Sequence, residues 1–209
     1  MTSAAPESPA QRLAGVSGII KVPSPRVEMF MLRDFLSPEE CAGLVARIER
    51  DRRPSTIADA NGDNYFRIQC DLPMMEPDVL ALDAKLSALS GIDRAFGEPI
   101  QGQRYEEGQE FKAHTDYFDP HSADYQRFCS VSGQRTWTFM IYLNDVEAGG
   151  ATRFKVIEKL IQPERGKLVC WNNRRPDGSV NPATLHHAMK VRKGLKYVVT
   201  KWYRELPWG

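Results

Sequence analysis

Apolar residues recur along this chain at two different periods, and the change of period divides it. Between Ser37 and Ile48 the period is helical: Cys41, Leu44, Val45 and Ile48 fall on one side. Ahead of them Ser37, Pro38 and Glu40 supply an N-cap hydroxyl, a proline at the first helical position and an acid three residues after the cap. An amphipathic face so regular reads as scaffold rather than site. Val79, Leu80, Leu82, Leu86 and Ile92 predict a second helix from about Pro77 to Phe96. After Gly97 the period drops to two. Thr136 to Asn144 is the clearest strand, with Trp137, Phe139, Ile141 and Leu143 on one face and Thr136, Thr138, Met140 and Tyr142 on the other. The first face suits packing against helices, and the second suits the wall of a half-polar cavity.

Further strands are predicted over Val27–Phe35, Tyr65–Cys70, Pro99–Tyr105, Glu110–His114, Thr152–Ile157, Lys167–Trp171, Thr184–Val191 and Leu195–Tyr203, with Gly108 and Gly194 in turns. Two leading helices followed by antiparallel strands make an α+β, β-dominated chain. The expected core is a jelly roll or cupin-like barrel, a double-stranded β-helix, flanked by N-terminal helices. Residues 1–26, rich in Ala, Ser and Pro, are expected as a flexible N-terminal extension with at most a short edge strand, and 27–209 as one domain. Two polar loops, Arg52–Asp63 and Tyr117–Gly133, are long enough to serve as lids.

Composition narrows the partners. A net charge of +1 offers no electrostatic case for nucleic acid or an anionic membrane. There is no apolar run of about 18 residues and no basic, apolar leader. The four cysteines, Cys41, Cys70, Cys129 and Cys170, form no CxxC pair, which points to a reduced, cytoplasmic setting.

The candidate chemistry lies in Phe111-Lys-Ala-His-Thr-Asp-Tyr117. In an extended run His114 and Asp116 point to the same face, so an imidazole and a carboxylate converge there. A third ligand must come from His121, His186 or His187. His121 lies in the long loop; of the adjacent His186 and His187 only one can face the interior. Two imidazoles and one carboxylate with open coordination positions are the facial triad of non-haem Fe(II) oxygenases.

Three ordered blocks carry a family resemblance: Arg104-Tyr105 with Gly108-Gln109 and His114-Thr-Asp116-Tyr-Phe118; Arg135-Thr136 through Tyr142-Leu-Asn144 with Gly149-Gly-Ala-Thr-Arg-Phe154; and Leu185-His186 with Val191, Gly194, Lys196 and Lys201-Trp-Tyr-Arg204. Together they resemble the catalytic domain of the prolyl 4-hydroxylase family of Fe(II)/2-oxoglutarate-dependent dioxygenases. Phe35-Leu-Ser-Pro-Glu-Glu-Cys41 is similar to the family's opening segment. The resemblance implies a metal-binding core over 100–205 with His114, Asp116 and His186 as ligands and no catalytic group beyond them. In the family the distal histidine precedes the co-substrate lysine by ten residues, which selects His186 over His187 and makes Lys196 the anchor of 2-oxoglutarate. A dianion entering a partly dry barrel calls for such a buried cation.

By the same resemblance Tyr105 reaches the co-substrate, with Tyr142 and Thr152 as supporting candidates beside it. Trp202 shares the face of Lys196 by strand parity and is expected to wall the substrate side, and Arg67, Tyr117 and Tyr125 are candidate substrate contacts. The implied reaction consumes 2-oxoglutarate and O2 at Fe(II), with ascorbate as reductant, and hydroxylates proline in a peptide or protein. Free proline or another small molecule is the alternative substrate, and a non-catalytic cupin-like metal-binding module the alternative class. Between Arg67 and Gly97 the chain departs from the family: Gln69-Cys-Asp-Leu-Pro-Met-Met75 stands where small polar residues face the peptide, which leaves the substrate open.

Overall fold

The computed structural model describes residues 7–51, 53–54 and 68–209. In chain order the elements are α1 (Pro9–Ala14), β1 (Ile20–Lys21), β2 (Met29–Leu32), α2 (Pro38–Asp51), β3 (Arg53–Pro54), β4 (Ile68–Asp71), α3 (Pro77–Ser90), β5 (Gln101–Tyr105), β6 (Phe111–His114), α4 (Ala123–Cys129) and β7 (Arg135–Tyr142). There follow β8 (Ala148–Gly149), β9 (Thr152–Phe154), β10 (Lys159–Ile161), β11 (Leu168–Asn172), β12 (His186–Ala188), β13 (Val191–Lys193) and β14 (Lys196–Arg204).

An eight-stranded sheet runs β1-β2-β11-β7-β14-β5-β4-β3, and a four-stranded sheet runs β10-β9-β12-β6. Every pairing is antiparallel. Face to face, the two sheets make the expected jelly roll, with helices on the outer side of the larger one.

The alternation of β7 sorts the interior into two cores. Trp137, Phe139, Ile141 and Leu143 join Leu44, Ile48, Val79, Leu82 and Leu86 of α2 and α3 in one buried cluster. Met140 and Tyr142 join Tyr105, Phe154, Trp171 and Val198 in the other, between the sheets. The helix over β5 sits close: a Cβ on Gly102 would lie 2.5 Å from Ile48 Cγ1, so only glycine fits. The capping box of α2 forms as the sequence predicts, Ser37 N–H donating to Glu40 Oε2 at 2.7 Å and Glu40 N–H to Ser37 Oγ at 3.2 Å.

Several boundaries move. α3 ends at Ser90 rather than Phe96, because Gly91 takes a left-handed conformation (φ 73°) and caps it. The expected strand Thr184–Val191 divides into β12 and β13, and the Tyr117–Gly133 loop contains α4, capped by Ser122 Oγ accepting from Tyr125 N–H at 3.2 Å. Part of the expected N-terminal extension is built into the body: Leu13 of α1 is fully buried in the helix-side core, and β1 pairs with β2. Leu13 and Ala10 pack on the core, Arg12 Nε–H donates to Ala88 O of α3 at 3.1 Å, and a Ser8–Gln11 capping box closes the N-terminus, so this short helix is held from three directions. Most of the Arg52–Asp63 loop and the first half of the Tyr65–Cys70 strand, Arg67 included, lie outside the described residues, and the second half forms the start of β4.

Candidate metal centre and co-substrate pocket

His114 ends β6, and His186 begins β12 directly opposite, the two being paired across the ladder. Asp116 follows two residues after His114. Ligand atoms of the three lie within 4.8 Å of one another. Asp116 Oδ1 is 3.7 Å from His114 Nε2 and 4.0 Å from His186 Nε2. Each Nδ1 contacts a backbone carbonyl two residues back: His114 that of Lys112 at 2.8 Å, His186 that of Thr184 at 3.0 Å. With Nδ1–H donated there, Nε2 carries the lone pair, the form a metal requires. Burial acts to raise the Asp116 carboxyl, but His186, His114, Arg135 and the Thr138 hydroxyl outweigh it and hold the carboxyl below the ordinary range. His187 points the other way and meets Glu110 Oε2 at 2.9 Å. His121 opens the turn before α4 and is exposed.

A cavity of about 470 Å³ opens beside the three ligands. Its major-sheet wall is a two-residue repeat on two paired strands: Gln101, Gln103 and Tyr105 of β5, and Lys196, Val198, Thr200 and Trp202 of β14, with Lys196 opposite Tyr105. Lys196 is 1% exposed. Its Nζ lies 5.1 Å from the Tyr105 ring centre and 5.5 Å from that of Tyr142, and no acid among the described residues is within ion-pairing distance. Burial lowers its ammonium to about 7. A cationic side chain facing a cavity without a counter-ion fits an anionic ligand, and the donor set of two imidazoles and one carboxylate fits iron(II).

Other expected residues divide. Thr152 lines the cavity, whereas Tyr142 stands behind it and donates its hydroxyl to Thr152 Oγ1 at 2.7 Å. Tyr142 thus supports Thr152 from behind; burial also pushes its phenol up, so it stays protonated. Tyr117 and Trp202 line the cavity rim, and Trp202 carries the Arg135 guanidinium 3.9 Å above its ring. Tyr125 sits on α4 outside the lining, where Ser122 and Asp124 take the places expected of it.

Sequence reasoning missed a clamp. Glu98 accepts from Arg135 Nε at 2.6 Å and Nη2 at 2.7 Å, and pairs with Arg204 at 2.6 Å. Both guanidiniums stand about 5 Å from the Phe118 ring, and the Gln134 amide bonds Phe118 N–H and C=O at 2.9 and 2.7 Å. The chain leaving Asp116 is thereby pinned to the ends of β7 and β14. Nothing in the local pattern around Glu98 signals this. Gln101, Gln103 and Thr200 were legible in principle, since they share strand parity with Tyr105 and Lys196.

Residues 100–204 match the sequence pattern of the 2OG-Fe(II) oxygenase superfamily. The chain belongs to this superfamily and is an oxidoreductase of the dioxygenase kind. It is 30% identical over 208 residues to prolyl 4-hydroxylase 1 of Arabidopsis thaliana, a match covering 87% of this chain and 70% of that protein. Prolyl 4-hydroxylase 13 of the same plant is 29% identical over 204 residues, with 87% and 72% covered. Among solved structures, the viral collagen prolyl hydroxylase of Paramecium bursaria Chlorella virus-1 shares the fold, with a TM-score of 0.65 at 24% identity over 90% of this chain and 98% of that one.

Proposed function

We propose that this enzyme uses Fe(II), 2-oxoglutarate and O2 to hydroxylate prolyl residues in a peptide or protein. The observation that carries the co-substrate half is Lys196: a buried cation in the cavity beside His114, Asp116 and His186, with no acid partner among the described residues. A metal-binding module without turnover has no use for it. The prolyl half rests on similarity to two plant prolyl 4-hydroxylases over most of the chain.

Bound at the triad, iron(II) supplies O2-dependent oxidative decarboxylation of 2-oxoglutarate to succinate and CO2, coupled to hydroxylation of a C–H bond. The chain's own groups do the rest. His114, Asp116 and His186 would hold the metal at the wall of the cavity. Lys196 pairs with the far carboxylate of the oxo acid, and Tyr105 and Thr152 offer hydroxyls beside it. Met140, Trp171 and Val198 exclude water from the same walls. Tyr117 and Trp202 of the cavity lining face the substrate. The α4-bearing loop serves as a lid. Ascorbate would be the accompanying reductant. A reducing, cytoplasmic location is supported by four buried free thiols.

The test is succinate release with proline-rich peptides against free proline, together with hydroxyproline analysis of the product. Peptide-dependent succinate and hydroxyproline, both lost in His114→Ala, are expected. Turnover with free proline alone would move the assignment to a small-molecule hydroxylase, and no turnover despite tight Fe(II) binding would favour the module.

A further inference from the structure

Behind the metal centre three side chains that the proposed chemistry does not use are joined to it. Trp171 Nε1–H donates to Asn173 Oδ1 at 3.1 Å, Asn173 Nδ2–H donates to Thr138 Oγ1 at 2.9 Å, and the Thr138 hydroxyl donates to Asp116 Oδ2 at 2.7 Å. All three are at most 1% exposed. We propose that Trp171, Asn173 and Thr138 form a one-directional relay that presents Asp116 to the metal through a single oxygen and couples its position to that of His186.

The direction follows from both ends. An indole N–H can only donate and an ionised carboxylate can only accept. Trp171 therefore turns the Asn173 carbonyl toward itself, the amide NH2 toward Thr138, and the Thr138 proton toward Asp116. No other arrangement satisfies every partner. Oδ2 is thereby occupied, while Oδ1 is the oxygen facing His114 and His186 at 3.7 and 4.0 Å. A carboxylate so held cannot swing to offer both oxygens, so it leaves one more position for ligands from the cavity.

The relay is built into the sheet. Trp171 of β11 and Thr138 of β7 are paired across the ladder, and Asn173 N–H donates to Thr136 O at 2.7 Å. The Trp171 ring also meets the His186 ring edge-on at 5.0 Å, while Phe154 stacks on His186 at 5.2 Å and meets Trp171 edge-on at 5.1 Å. One indole thus meets His186 through its ring and is linked to Asp116 through its N–H by way of Asn173 and Thr138.

This inference rests on the triad being a metal site, and the experiment separates the two. Co(II) affinity of the metal-free full chain is measured by calorimetry, with the visible ligand-field spectrum of the Co(II) form and a melting curve for each variant. Thr138→Val should weaken Co(II) by about 10- to 100-fold and alter the spectrum, the usual scale for loss of an outer partner of a metal ligand. Thr138→Ser, which keeps the hydroxyl, should stay near wild type. Trp171→Phe keeps an aromatic ring on the His186 side and removes the N–H donor, and should shift affinity and spectrum in the same direction. It carries the test should Thr138→Val fail to fold. Wild-type affinity and spectrum in Trp171→Phe and Thr138→Val, or equal losses in the Ser and Val variants, would overturn the relay while leaving the triad. Unchanged Co(II) binding in His114→Ala would overturn the triad and the relay with it.

Discussion

Lys196 and Lys201 lie on one strand, five residues apart, and therefore on opposite faces of the major sheet. Both are 1% exposed. Burial lowers the ammonium of each. On the helix side, Lys201 meets Asp83 of α3 at 2.7 Å, and Arg94 closes on the other oxygen at 2.6 Å. That charge is complete within the fold, and burial is partly offset by its partner. On the cavity side Lys196 faces aromatic rings and open space. The same residue type on the same strand is a structural tie in one place and an unfinished ion pair in the other. The difference is whether the element packed over it brings an acid.

Replacing each lysine should separate those roles. Lys201→Met strands the Asp83 carboxylate in the core, and the cost expected for breaking a buried pair is about 3–5 kcal/mol. Denaturant unfolding reads it; a cost below about 1 kcal/mol would mean that Arg94 alone satisfies Asp83. Lys196→Met should do the reverse. It leaves the unliganded protein at least as stable as wild type at pH 7, while 2-oxoglutarate binding weakens by about 2–5 kcal/mol, the range for truncating one partner of a buried charge pair. Calorimetric titration of the Fe(II)-free or Mn(II)-loaded protein measures this apart from turnover.

The pH dependence follows with its sign. Lys196 titrates near 7 when folded against 10.5 ordinarily, so the unfolded chain holds a proton that the folded chain lacks between those values. Its contribution to stability is present above pH 10.5 and is lost as pH falls through about 7. The unliganded wild type should therefore gain stability relative to Lys196→Met as pH rises from 7 toward 10, and 2-oxoglutarate binding in that window should take up a proton. Titration in buffers of different ionisation enthalpy detects the uptake; none at pH 8.5 would place the co-substrate carboxylate elsewhere. The smallest effect expected is that of Tyr105→Phe, which removes a hydroxyl bonded to Gln103 at 2.8 Å. It should raise the KM for 2-oxoglutarate by about 0.5–1.5 kcal/mol in equivalent terms without changing stability by more than that amount.

Much of this was legible in the chain, unevenly. The α2 capping box, the two faces of β7 and the convergence of His114 with Asp116 are properties of residues a few positions apart. The row Tyr105, Lys196 and Trp202 was visible as well, through resemblance and strand parity. Tyr142 and Tyr125 show what parity leaves open: it says which face a residue takes, but not what stands between it and the cavity. Thr152 stands before Tyr142, and the turn of α4 presents Ser122 and Asp124 rather than Tyr125. The Glu98 clamp and the Trp171 relay join segments far apart in sequence, and no local pattern marks them.

By itself, then, the sequence determined where chain elements begin, which face of each is apolar, and which residue types are present to bind a metal and an anion. Those depend on repeats of two or of about 3.6 residues and on caps that act within one turn. The choice of His186 over His187 came from the sequence only through family resemblance. Its physical cause is tertiary, because the register of β12 on β6 is set by pairing between distant strands, and a slip of one residue would exchange them. Tertiary structure decided in the same way that Lys201 has an acid and Lys196 does not, since α3 covers one face of β14 while the other is left to the cavity.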